Sequence, residues 1–140
     1  MAGAFEFAQS YSGENSVPAI AEFPVAGSQT LKVGDPVMLG SGKATAGAAG
    51  TFGRALGVMA QDATSLTAGT LVKVYVAKTD QVWKATASAD ATSHVLAARS
   101  YDLTTGAVVN VADTTGGCIQ IVRLGATTTE VYVAFAATEF

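Results

Sequence analysis

The sequence predicts an all-β domain, and three observations carry that expectation. Ala, Thr, Val and Gly number 27, 17, 16 and 15 and together make 75 of the 140 residues. Such small and β-branched side chains suit pleated sheet, whereas helices favour Leu, Glu, Lys and Arg. Apolar and polar residues alternate in short bursts, the two-residue period of a half-buried strand. Gly, Asp, Ser and Thr collect between the bursts, as they do at the connections of sandwiches and barrels. The expected architecture is a small antiparallel β-barrel or β-sandwich over residues 29–140, preceded by an extended N-terminal arm over residues 1–28, with at most one short helix. The length fits one such domain.

Along the chain, residues 1–28 differ from the rest. Phe5, Phe7, Tyr11 and Phe23 stand among Gly, Ser, Asn and Pro without a strand pattern of their own. These anchors either cover the end of their own domain or reach across to an adjacent subunit, since aromatic side chains are enriched at interfaces. Strand candidates follow at Pro36–Leu39, Lys43–Ala46 and Arg54–Ala60. The most regular alternation is Leu71–Val76, with Val72, Val74 and Val76 on one side. Lys78, Thr79 and Asp80 then predict a turn into Gln81–Thr86, making a hairpin. Val95–Arg99 and Ala107–Val111 are further candidates. Gly117–Leu124 and Glu130–Ala136 predict a second hairpin, with Val131, Val133 and Phe135 sharing a face. The short helix, if formed, falls within Thr86–Ala98, where Asp90 and Ser93 offer caps, or within Ala60–Ala68.

Composition excludes several classes of function. Leu, Ile, Val and Phe sum to 33 residues, enough apolar side chain to collapse rather than remain disordered. The net charge of -3 gives no electrostatic reason to bind a phosphate backbone or an anionic membrane. No apolar run approaches the length of a membrane span, and the residues around Met1–Gln9 lack the Lys or Arg of a signal peptide. The expectation is a protein of a reducing cytoplasm, with no cofactor, nucleic acid or membrane partner.

Catalytic patterns fit poorly. Cys118 is the single cysteine and His94 the single histidine, so neither a disulfide, a thiolate zinc site nor a two-histidine metal site can form within the chain. Cys118, between Gly117 and Ile119, reads as a small buried hydrophobe, and no spacing pairs it with His94. Gly40-Ser41-Gly42-Lys43 resembles the end of a phosphate-binding loop, but Val37 stands where the pattern needs Gly and Ala44 where it needs Ser or Thr. It reads better as a glycine-rich hairpin tip. Asp35, Asp62, Asp80, Asp90, Asp102 and Asp113 stand in or beside expected turns, where Asp bonds to nearby backbone. Tyr101-Asp102-Leu103 matches a short motif of trimeric dUTP pyrophosphatases. The other motifs of those enzymes, a Gly-Val-Ile-Asp segment and an Arg-Gly-Gly-Phe-Gly-Ser tail, are absent. Trp83, followed by Ala85 and Ala87 on its face, is either a core residue or an exposed interface anchor.

One longer pattern carries a resemblance. Leu31-Lys32-Val33-Gly34-Asp35-Pro36-Val37 is followed by a Gly-rich turn, by Ala55-Leu56-Gly57-Val58-Met59-Ala60, by Asp62-Ala63, and by Ala68-Gly69 before the strand Leu71–Val76. With Tyr101-Asp102-Leu103 and a closing strand at Glu130–Phe135, this order resembles the head decoration, or capsid cement, proteins of tailed bacteriophages. Physically, Gly34-Asp35-Pro36 is a tight turn, with Pro36 at a strand start and Asp35 able to accept from a nearby N–H. Gly57 allows another backbone or a bulge to approach closely. The resemblance implies a homotrimer, assembled in the host cytoplasm, that sits on the expanded shell and clamps neighbouring major capsid subunits without catalysis. Phe5, Phe7, Tyr11, Phe23 and Trp83 are the candidate contact residues. The alternatives are another virion component (a head fibre base, tail tube or connector subunit) and a small trimeric hydrolase acting through Asp102.

Overall fold

Alternating burial decides the architecture. A computed structural model describes residues 4–11, 17–47, 51–104 and 107–140. Its strands are β1 (Glu6–Ser10), β2 (Ile20–Pro24), β3 (Thr30–Leu31), β4 (Pro36–Gly40), β5 (Lys43–Ala46), β6 (Gly57–Met59), β7 (Ala63–Thr64), β8 (Leu71–Val76), β9 (Gln81–Ala87), β10 (Asp102–Leu103), β11 (Val108–Asn110), β12 (Ile119–Leu124) and β13 (Glu130–Phe135). The first sheet runs β10-β11-β9-β13-β12, with β1 also paired to β9. The second runs β2-β8-β6-β4-β5, and β3 pairs with β7 in a small ribbon. Val25 bridges Ala44 and curls the second sheet toward its own edge without making a closed barrel. The chain is therefore a sandwich-like all-β fold, and no helix among the described residues is long and apolar enough to cross a membrane.

Two clusters fill the interior. Trp83, Tyr101, Phe52, Phe135, Ile119, Ile121 and Val133 belong to the larger, between the sheets. Leu31, Val37, Leu56, Met59, Val72 and Val74 belong to the smaller, inside the curl of the second sheet. Val72, Val74 and Val76 do share the buried face of β8, and Val131, Val133 and Phe135 that of β13.

The structure departs from the sequence expectations at three places. Leu71–Val76 and Gln81–Ala87 are both strands, but they do not form a hairpin, because β8 lies in the second sheet and β9 in the first. Almost every side chain of β9 is buried, as befits a strand inside the first sheet, where it pairs with β13, β1 and β11. The Lys78–Gln81 turn is a corner between sheets. Gln81 stabilises it, its Nε2 donating to the Val76 carbonyl at 3.1 Å and its Oε1 accepting from the Lys78 N–H at 2.9 Å. Second, Val95–Arg99 is not a strand, since Leu96 has φ +55° and breaks the extended backbone. Third, Ala60–Ala68 is not helical and contributes β7, while the one short helix allowed forms as a 3-10 turn at Thr92–His94, within Thr86–Ala98. The hairpin of β12 and β13 forms, with a bulge between Ile121 and Arg123.

Residues 1–28 place β1 in the first sheet and β2 in the second. Of the two roles open to its aromatic side chains, Phe5 takes the local one and is buried in the larger cluster of its own domain.

Gly57 gives the fold a testable pinch point. A Cβ there would run into the Tyr75 carbonyl oxygen and lie 2.6 Å from a Val74 methyl. The first collision is with backbone, which no rotamer change relieves. Gly57→Val should lower unfolding stability by about 3 kcal/mol or more, read as a shifted midpoint in urea denaturation.

Candidate interaction groove

The Gly34-Asp35-Pro36 segment folds tightly and in doing so fixes one wall of a surface groove. The Asp35 N–H donates to the Lys32 carbonyl, and the Asp35 Oδ2 accepts from the Lys32 N–H, both at 2.9 Å. Asp62 Oδ1 accepts from the Val33 N–H at 2.9 Å. Gly34 sits at φ +95°, where an L side chain is strained. Its N–H donates to the Met59 carbonyl at 3.0 Å, and its carbonyl accepts from the Phe5 N–H at 2.8 Å. The turn therefore ties the start of the described chain to β6. Pro36 opens β4, where a missing N–H is best tolerated.

Phe5, so held, stacks on Phe135 with ring centroids 5.9 Å apart. Phe52 and Trp83 also meet Phe135, at 6.0 and 6.3 Å. Phe7 of β1 sits edge-on to Trp83 at 5.5 Å, and Tyr75 lies 6.4 Å from it on the other sheet. Trp83 is thus a core residue rather than an exposed anchor. Its indole Nε1 is buried without a hydrogen-bond partner.

Above this aromatic floor, at the seam where β1 leaves the two sheets open, lies a groove of about 450 Å³. Phe5, Phe7, Tyr75 and Trp83 line its depth, and Val17, Ile20 and Val33 its mouth. Those three are 67%, 55% and 53% exposed, unusual for aliphatic side chains gathered round one opening. Glu6 is the one charged residue among those lining it.

The predicted contact residues thus divide. Phe5, Phe7 and Trp83 come together at the groove, where Gly34 of the expected turn joins them. Tyr11 is exposed outside it, its N–H donating to the Asp80 carbonyl at 2.8 Å. Phe23 lies near the far end of β2, half-buried, with Phe140 tilted over it at 6.0 Å. Val17, Ile20 and Val33 were not legible as a group, because only the pairing of β2 with β8 and the turn at Gly34 bring them to one opening.

Of the residues weighed for catalysis, Asp102 and Cys118 are buried and His94 is half-buried. His94 does not meet Cys118: its Nδ1 is 2.8 Å from the Tyr101 hydroxyl, with the rings edge to face. Burial raises the Tyr101 hydroxyl above its ordinary pKa. Asp102 is fully buried; Oδ1 accepts from the Leu103 N–H at 2.8 Å, and Oδ2 has no partner. Burial, and then the nearby Asp102, push the Cys118 thiol up to about 12, so no reactive thiolate forms at neutral pH. Gly40–Lys43 is the β4–β5 hairpin tip, with Ser41 and Gly42 at φ 52° and 77°, which matches the turn expected there. The continuing loop at 48–50 lies outside the described residues. Among the described residues no group of three His, Cys, Asp or Glu side chains is placed to hold a metal ion.

Neither a protein-family model nor a curated protein matches the chain.

The Cys118 environment sets two outcomes. The raised thiol pKa contributes stability below pH 9, the ordinary thiol value, and that contribution is lost as pH rises from there toward about 12. Thermal midpoints should therefore fall over this alkaline window less steeply in Cys118→Ala than in the parent chain. At pH 8 a thiol-alkylating reagent should label the chain only once urea has unfolded it, as read by intact mass.

Proposed function

We propose that the chain is a structural protein of a tailed-phage virion, which binds the outside of the expanded capsid as a homotrimer and stabilises the shell by clamping neighbouring major capsid subunits. The observation that carries the reading is the exposed apolar groove of Val17, Ile20 and Val33 over an aromatic floor. It is built by the Gly34-Asp35-Pro36 turn, the segment in which the resemblance to decoration proteins is densest. Exposed aliphatic side chains around an aromatic floor, with one charged residue among them, are the composition of a surface that contacts protein.

A second apolar feature supports a protein with two kinds of neighbour. Phe140 is 60% exposed and caps Phe23, near the end of β2 away from Ile20. One surface can serve copies of the chain and the other the shell. The low charge fits as well, because few ionic groups would need pairing when these surfaces are covered. Binding only the mature lattice stabilises it by linkage, each site contributing RT times the logarithm of one plus the free concentration divided by the dissociation constant. Summed over many copies, modest contacts resist the pressure of packaged DNA.

Particles stripped of the chain should lose heat and osmotic resistance and regain both when the purified chain is added back. Unchanged resistance with no rebinding would overturn the reading. Labelling at a tail or connector position on intact particles would replace it with another virion role.

A further inference from the structure

Leu96 is as unusual as the groove. It is a bulky residue at φ +55° and is 62% exposed. A left-handed backbone is costly for such a side chain, and nothing within the domain covers it in return. Its N–H donates to the Ile121 carbonyl at 2.8 Å, which seats the residue against the outer edge of β12.

The sheet register then relates this knob to the groove. Phe7 of β1 is paired with Trp83 of β9, Trp83 with Val133 of β13, and Val133 with Ile121 of β12. One rung of the first sheet therefore begins at a groove residue and ends at the strand that holds Leu96. The two strands at the ends of this rung, β1 and β12, lie three strand spacings or roughly 14 Å apart. Charge is complementary at the same two places. Glu6 is exposed at the groove, and Arg99 is exposed three residues beyond Leu96.

We propose that Leu96 of one copy of this chain inserts into the Val17–Ile20–Val33 groove of the next, so that subunits join head to tail. An apolar knob and a complementary pocket on opposite flanks of one molecule make a heterologous contact, which closes into a ring when the rotation between subunits permits. This rests on the homotrimer reading above and names the surfaces that make the trimer. Burying one Leu changes association by roughly 10- to 100-fold per contact.

The test is analytical ultracentrifugation of the full chain. The parent chain should sediment as a trimer. Leu96→Gly removes the knob and relieves the left-handed strain, so it should be monomeric with a thermal midpoint no lower than the parent's. Leu96→Ala, which keeps the backbone strain, should lose association equally. Ile20→Lys should be monomeric through loss of the groove. Mixing Leu96→Gly with Ile20→Lys leaves one intact groove and one intact knob, so a dimer should form. Oligomers that persist in both variants, or a mixture that stays monomeric, would overturn the head-to-tail contact while leaving the trimer reading in place. A parent chain that is monomeric at all concentrations would overturn both.

Discussion

The meeting of Phe5, Phe52 and Trp83 around Phe135 is the contact on which the two-sheet arrangement rests.

 The rings come from β1's flank, a loop, β9 and β13, so a single side chain near the end of the chain gathers segments more than a hundred residues apart. Each large ring buries much apolar area, and offset or edge-to-face packing adds to it. The groove depends on this cluster as well. Trp83 and Phe5 form its depth only because Phe135 holds them from behind.

Charge plays a different part. The Lys84–Glu130 ion pair is exposed at 3.8 Å and contributes little to stability. Arg123 lies over the Tyr132 ring at 3.7 Å, a cross-strand contact on the outer face of the first sheet. Most of the short polar side chains instead complete the backbone of turns. Asp35 accepts from Lys32, Asp62 from Val33, Asp90 from Thr92 and Asp113 from Thr115. The hydrogen bonds from Thr92 hold the Asp90 carboxyl below its ordinary pKa. Gln29 does the same across strands, with Oε1 accepting from the Ala46 N–H and Nε2 donating to the Ala26 carbonyl, both at 2.9 Å. These are the connections a sheet needs where its ladder stops.

Strand type was legible wherever one face alone is buried. Leu71–Val76 alternates because β8 has one side to the core and one to solvent, and Lys43–Ala46 has the same character at an edge. Partner choice was not legible. The signals at Lys78–Asp80 are equally those of a hairpin and of a corner between sheets, and only the near-complete burial of β9 separates them. Strands of two residues such as β3, β7 and β10 are too short to show a period. Of the groove, the turn at Gly34 and the aromatic residues were legible from residue type. The exposed aliphatics were not, since an isolated Val or Ile carries no mark of exposure until its strand has a partner. Leu96 was hidden for a related reason: β-branched and apolar neighbours suggested a strand, and its left-handed backbone occurs where its N–H meets a residue distant in sequence, Ile121.

The placement of β9 between β1 and β13 has a kinetic side. Residues 6–10, 81–87 and 130–135 must meet before the centre of the first sheet exists. Closing such long loops precedes the contacts that reward it, so folding should be slow compared with that of a helical domain of equal size. Unfolding is slowed by whichever of these pairings are still absent from the transition state, since only those are broken on the way to it. The same topology leaves the edges of β9 unpaired until distant segments arrive, and so open to pairing with other chains while folding is incomplete.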